Sequence, residues 1–170
     1  MEIKSYEIIP DKIWDDFCLN NSQGWFWHSS YRIKHALNAS KRLKSTNKSF
    51  GVFNEKKLIS IVPLVLDYDI NEKIYLFTFG GFGTPAPLVD DNLNNENKNK
   101  IYKKIYSKID ELAVSLDVKK INIFQATSYP FKIINNISLK YGYSDISSAT
   151  QILDLENKDL FDSVTKNHKR

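Results

Sequence analysis

The chain has 170 residues, of which 42% are hydrophobic and 26% charged, with a formal net charge of +4; this suits one packed domain and excludes a disordered chain. One cysteine and three histidines exclude an internal disulfide framework and leave no metal-ligand spacing. There is neither a membrane-length apolar run nor a basic-then-apolar leader, so the expected compartment is the cytoplasm, while a pI near 9.0 permits an anionic partner such as tRNA, a nucleotide-linked substrate or a membrane surface.

Residues 2–9 alternate loosely and read as a strand. Pro10-Asp11 places proline and an acid in the first turn of a helix, which Ile13, Trp14 and Phe17 continue and Asn20-Asn21-Ser22-Gln23-Gly24 stops. Cys18, beside Phe17, reads as a buried structural thiol. The rings of Trp25-Phe26-Trp27 can stack on a base or a sugar, but packing at a helix junction is the simpler reading. Ser29 or Ser30 is placed to cap a second helix through Ala39. The basic residues beyond it, Lys41, Arg42, Lys44 and Lys48, read as a solvated face or loop.

From Lys48 the hydrophobic period changes to two. Residues 50–53 and 58–66 form the arms of an antiparallel hairpin around Asn54-Glu55-Lys56-Lys57, and the hairpin should set Phe53 beside Leu58. Pro63 removes a ladder donor and marks a bulge or an unpaired stretch. A strand over residues 73–79 leads into Gly80-Gly81-Phe82-Gly83-Thr84-Pro85-Ala86-Pro87. After a polar stretch, Ile101, Ile105, Ile109, Leu112 and Leu116 make one stripe of a long amphipathic helix, opposite Lys103, Lys104, Lys108 and Glu111. A short buried strand follows at 121–124, then a helix over 130–141 stopped by Gly142-Tyr143, a strand over 150–155, and a new helical pattern over 158–170. This order predicts an α+β fold: a mixed, mostly antiparallel sheet covered by helices. It divides into a lobe over residues 1–150 and the start of a second, truncated lobe over 151–170.

No P-loop, GxSxG elbow, HExxH helix or GxGxxG fingerprint is present. The loop at Gly80-Gly81-Phe82-Gly83 superficially matches a phosphate cradle, but Pro85 and Pro87 lack the N–H groups that a cradle uses, so it reads as a substrate-facing or shaping loop. Asp67 and Asp69, at strand spacing, read as a solvated hairpin turn rather than an acid/base pair. His28 and His35 read as hydrogen-bonded structural histidines, since no nucleophile or orienting acid is assignable beside them.

Taken together, several segments resemble the Fem family, which attaches amino acids from aminoacyl-tRNA to peptidoglycan precursors. They are Phe26-Trp27-His28-Ser29-Ser30-Tyr31-Arg32-Ile33-Lys34, Ile61-Val62-Pro63-Leu64, the 80–87 loop, and Thr150-Gln151-Ile152-Leu153-Asp154-Leu155 before Leu160-Phe161 and Asn167-His168-Lys169-Arg170. The resemblance implies the first of two GNAT-like lobes, with the second lobe missing from this chain. It implies a nucleotide-linked or lipid-linked cell-wall precursor as acceptor and, for the complete enzyme, an aminoacyl-tRNA or acyl-CoA donor. It also implies a phosphate contact on the helix after the aromatic segment, where Lys34 is the nearest match and Arg32 or His35 the alternatives, and phosphate handling by Lys169 and Arg170. No cofactor is expected in this chain, because the GNAT pyrophosphate loop is absent. A GNAT-type N-acyltransferase acting on an amino sugar and a non-catalytic binding lobe are the alternative expectations.

Overall fold

A computed structural model describes residues 1–125 and 136–146. Strand β1 (Glu2–Ser5) ends earlier than its alternation predicts, because Tyr6 turns inward to lie edge-on against Trp14, with ring centroids 5.0 Å apart. Helix α1 (Asp11–Leu19) follows Pro10, as its first-turn chemistry predicts. Helix α2 (Ser30–Ala36) is capped by Ser29, whose hydroxyl accepts the Arg32 N–H, and it stops before Ala39. Strand β2 (Leu43–Asn47) occupies the segment whose basic residues read as a solvated face or loop. Strands β3 (Phe50–Asn54) and β4 (Lys57–Val62) form the expected hairpin, with Phe53 opposite Leu58. Then come β5 (Val65–Asp69), β6 (Ile74–Phe77), and the short strands β7 (Thr84–Pro85) and β8 (Leu88–Val89). Helix α3 (Asn95–Ser115) is capped by Asn94, whose side chain accepts the Asn97 N–H. Strands β9 (Val118–Ile121) and β10 (Ile123–Phe124) follow it, and a 3-10 turn, Ile137–Tyr141, closes at left-handed Gly142. The strand expected over 150–155, the segment 151–170 and half of the helix expected over 130–141 lie outside the described residues.

The run from Leu58 to Leu66 is one strand by composition but two in space. At Pro63 the chain leaves the order β1-β3-β4-β8 and joins the order β2-β5-β6-β9, while Lys48 and Ser49 make the same crossing on the opposite arm. The break is satisfied locally: the Ser49 hydroxyl accepts the Leu64 N–H and donates to the Leu64 carbonyl, which also accepts the Lys48 N–H. Strand β9 adds to β6 in parallel, and β10 pairs with β7 in parallel; the other described pairings are antiparallel. The fold is therefore α+β, mostly antiparallel and covered by helices.

The helices cover both faces. Phe53, Leu58, Ile61 and Val65 pack with Trp14, Cys18, Ile33 and Ala36 of α1 and α2. Phe50, Val52, Ile59, Val62 and Phe77 pack with Ile101, Ile105, Tyr106 and Ile109 of α3. A bulge lets Leu58 and Ile61 share a face: Phe53 pairs with Leu58 but Val52 with Ser60, so Ile59 has no partner and the phase slips by one. The predicted stripe of α3 is buried at its three isoleucines, and each such burial is worth about 1.5–3 kcal/mol. Cys18 is buried, and burial pushes its thiol up to about 11, so it is the inert structural thiol read from the sequence.

Candidate functional site

The most unusual side chain is Arg32, on α2. It is 3% exposed, and its guanidinium carbon lies 4.3 Å from the Trp27 ring, 5.0 Å from Phe82 and 5.2 Å from Phe79. One guanidinium nitrogen donates to His35 Nδ1 at 3.2 Å. Among the described residues it makes no ion pair, and burial alone lowers its pKa from the usual arginine range. A buried arginine without an acid is unusual, because the ordinary compensation for desolvating a charge is an opposite charge.

The rings around Arg32 extend into an aromatic cluster. Trp27 packs against Phe124 at 5.2 Å, Phe82 at 5.8 Å and Trp25 at 6.1 Å, while Phe26 meets Tyr31 at 6.2 Å. Packing at a helix junction is thus correct for Trp25 and Trp27, which are half-buried, but Phe26, Tyr31 and Phe82 present their rings to solvent. Three sequence-distant segments build the cluster: the 3-10 turn Phe26–His28, the glycine loop, and the end of β10.

The glycine loop is left-handed at four positions, three of them glycines that adopt it freely and one, Phe79, strained. Phe79 has φ of +52°, Gly80 +73°, Gly81 +93° and Gly83 +98°, and a left-handed bulky residue such as Phe79 is uncommon. Asp67 holds the start of this loop: its Oδ2 accepts from the Gly80 N–H at 2.8 Å and the Thr78 hydroxyl at 2.6 Å, and its Oδ1 accepts from Ser45. Asp69, two residues along the same strand face, pairs with Arg42 at 2.6 Å and accepts the Asn71 and Glu72 N–H groups. The Arg42 hydrogen bond holds the Asp69 carboxyl below the usual carboxylate range. Both acids are buried, which corrects the reading of a solvated turn: Asp69 takes two N–H groups of its own turn, but the other donors, Arg42, Ser45, Thr78 and Gly80, lie 11–27 positions away, where sequence adjacency does not reveal them. Arg42, Asp69, Thr78, Gly80 and Phe82 line an open cleft of about 480 Å³.

Lys34 is two residues from Arg32 on α2, so it points to a different face. Its ammonium donates to Asp11, which also accepts from the Tyr6 hydroxyl. The structure therefore does not bring Lys34 and Arg32 to one point, and only Arg32 joins the aromatic cluster. Lys169 and Arg170 lie outside the described residues. His35 is exposed beside Arg32, while His28 is buried with Nε2 3.0 Å from the Ala86 carbonyl. Among the described residues no cluster of His, Cys, Asp and Glu is suited to a metal ion, and no helix is long and apolar enough to cross a membrane. Sequence reasoning missed the Arg42–Asp69 pair and the Asp67 hub; the only local signal was the same-face spacing of the two acids. Searches against protein-family models, curated proteins and solved structures find no match for this chain.

Proposed function

We propose that the chain is an acceptor-holding lobe of a cytoplasmic aminoacyl- or acyltransferase of cell-envelope or surface-polymer synthesis, and that Arg32 meets an anionic group of the acceptor. The observation that carries this reading is a buried guanidinium without an acid. Stacking on aromatic faces returns about 0.5–2 kcal/mol, less than a desolvated charge loses. Guanidinium N–H groups not used by His35 suit the oxygens of a phosphate or carboxylate. Phe82, which covers Arg32 from the glycine loop and is 58% exposed, is the ring whose displacement opens the way. Acyl transfer to an amine also needs a polarised carbonyl and a route for the amine proton; the reading assigns those, with the aminoacyl-tRNA or acyl-CoA donor, to a second lobe. Lys34, the family's nearest match, already has its charge met by Asp11, so the geometry favours Arg32 over it.

The test is calorimetric titration of a nucleotide-linked amino-sugar precursor into the parent chain, Arg32→Lys and Lys41→Ala at fixed ionic strength, with circular dichroism as a check on folding. Binding to the parent, weakened by about 1.5–3 kcal/mol in Arg32→Lys and unchanged in Lys41→Ala, is the expected result. No binding to the parent, or equal affinity in all three, returns Arg32 to a packing role and removes the acceptor site.

A further inference from the structure

Arg32 and His35 stand three positions apart on α2 and share one of its faces. A guanidinium has donors and no acceptor, so the bond between Arg32 and His35 Nδ1, at 3.2 Å, requires a lone pair on Nδ1 and leaves the ring proton on Nε2. The bond therefore exists only while His35 is neutral. A protonated imidazole carries a donor at both nitrogens. It would set N–H against N–H and place a second positive charge beside a guanidinium that is already 3% exposed.

The ionisable groups of the elements packed on α2 are engaged elsewhere. From α1, Asp11 accepts from Lys34, Asp15 accepts the Ser30 N–H and hydroxyl, Asp16 pairs with Lys12, and Cys18 donates to the Trp25 carbonyl. From the 3-10 turn, His28 faces the Ala86 carbonyl. Strands β3 and β4 turn Phe53, Leu58 and Ile61 to the helix, and the loop over 79–83 has no ionisable side chain. Beyond α2, Lys41 is exposed and Arg42 pairs with Asp69. The charge on His35 is thus set against Arg32 and against whatever anion Arg32 holds. His35 itself is exposed, so water delivers its proton freely.

We propose that anion binding at Arg32 is coupled to proton uptake at His35: the neutral ring holds the guanidinium in the empty site, and an anion that takes over the Arg32 donors frees Nδ1 to accept a proton beside the new negative charge. This rests on the reading of Arg32 as an anion contact and adds its regulation. His35 acts as a positioning residue when the site is empty and strengthens the site when protonated, so affinity rises as pH falls. The linkage is reciprocal: the anion draws a proton onto His35 by the same factor.

Inorganic sulfate is the probe, because it stays a dianion between about pH 5.5 and about pH 8, the window in which an imidazole ordinarily changes charge. It is titrated calorimetrically into the full chain at fixed ionic strength, with circular dichroism as a check on folding at each pH. The expected result is saturable binding about fivefold or more tighter at the lower pH, the factor that unit charges about 4 Å apart give even at the dielectric of water. In His35→Gln, whose amide oxygen accepts from Arg32 but takes no proton, the ratio should fall close to one. In the parent, the His35 ring signals followed by NMR should titrate at higher pH with sulfate than without it, a readout that does not need the variant to fold. Equal affinity at the two pH values, a rise preserved in folded His35→Gln, or a His35 titration that sulfate does not move overturns the coupling and leaves the anion contact standing. No saturable binding at either pH overturns the Arg32 reading and the coupling with it.

Discussion

Asp67 on β5 accepts the backbone N–H of Gly80 at 2.8 Å, and this bond ties the second sheet to the loop that carries Phe82 over Arg32. The carboxylate is fully buried, and its two hydroxyl donors come from β2 and from Thr78, just past β6. Asp67→Ala should therefore cost about 3 kcal/mol or more, because three donors lose a charged acceptor. Asp67→Asn should cost about 1–2 kcal/mol, since hydroxyls can turn to accept while the Gly80 N–H cannot. Urea denaturation reads both; a change within about 0.5 kcal/mol, typical of a surface site, would contradict the buried hub.

Gly80 and Gly142 are both left-handed, at φ +73° and +87°, but only Gly80 is crowded. A Cβ at Gly80 would lie 2.7 Å from the Ala36 carbonyl oxygen, whereas one at Gly142 meets nothing within 4 Å. Gly142→Ala is expected to cost about 1–2 kcal/mol from backbone strain alone, and Gly80→Ala clearly more, because the loop must also lift from α2. Thermal melts of the two variants decide it: equal shifts would show that the loop does not press on α2.

His28 makes stability depend on pH. Its folded pKa of about 4 lies below the ordinary 6.5 because burial disfavours the charged ring, so between these values the unfolded chain binds the extra proton. Stability is then complete above about pH 6.5 and falls as pH drops towards 4, by on the order of 3 kcal/mol. His28→Gln should flatten that slope. Denaturant midpoints at stepped pH values measure it, and an unchanged slope in the variant would assign the pH dependence elsewhere.

Lys34 and Asp11 form a half-exposed pair, with side chains 59% and 43% exposed. Lys34→Ala should change stability by less than about 1 kcal/mol. Asp11→Ala should cost more, because Asp11 also accepts the Tyr6 hydroxyl at 2.5 Å and stands in the first turn of α1, where a negative charge is favoured. Its carboxyl is held below the usual range, first by the Lys34 hydrogen bond and then by Tyr6, so the cost of Asp11→Ala should shrink in acid. Chemical denaturation of both variants at neutral and acid pH checks the order, and a larger loss for Lys34→Ala would reverse it.

What the sequence determined by itself was whatever depends on neighbours along the chain. The isoleucine stripe of α3, a serine cap at Ser29 or Ser30, the Phe53–Leu58 hairpin and the break at Pro63 were legible because helical period, cap chemistry and a missing N–H act within a few residues, while the structure chose Ser29. The tertiary structure alone decided β2, a polar stretch that is a strand only because β5 lies beside it. It also decided the fate of Asp67, Asp69 and Arg32. In sequence these are single charges between apolar or aromatic neighbours (Leu66-Asp67-Tyr68-Asp69-Ile70, Tyr31-Arg32-Ile33), an alternation that solvent-facing charges on strands and helices share. Their burial follows from donors and rings up to 50 positions away, Phe82 above Arg32 being the farthest. A charge's environment is set by what packs against it in space, and desolvation, which turns such a group from a surface ion into a site, has no signature in the residues on either side.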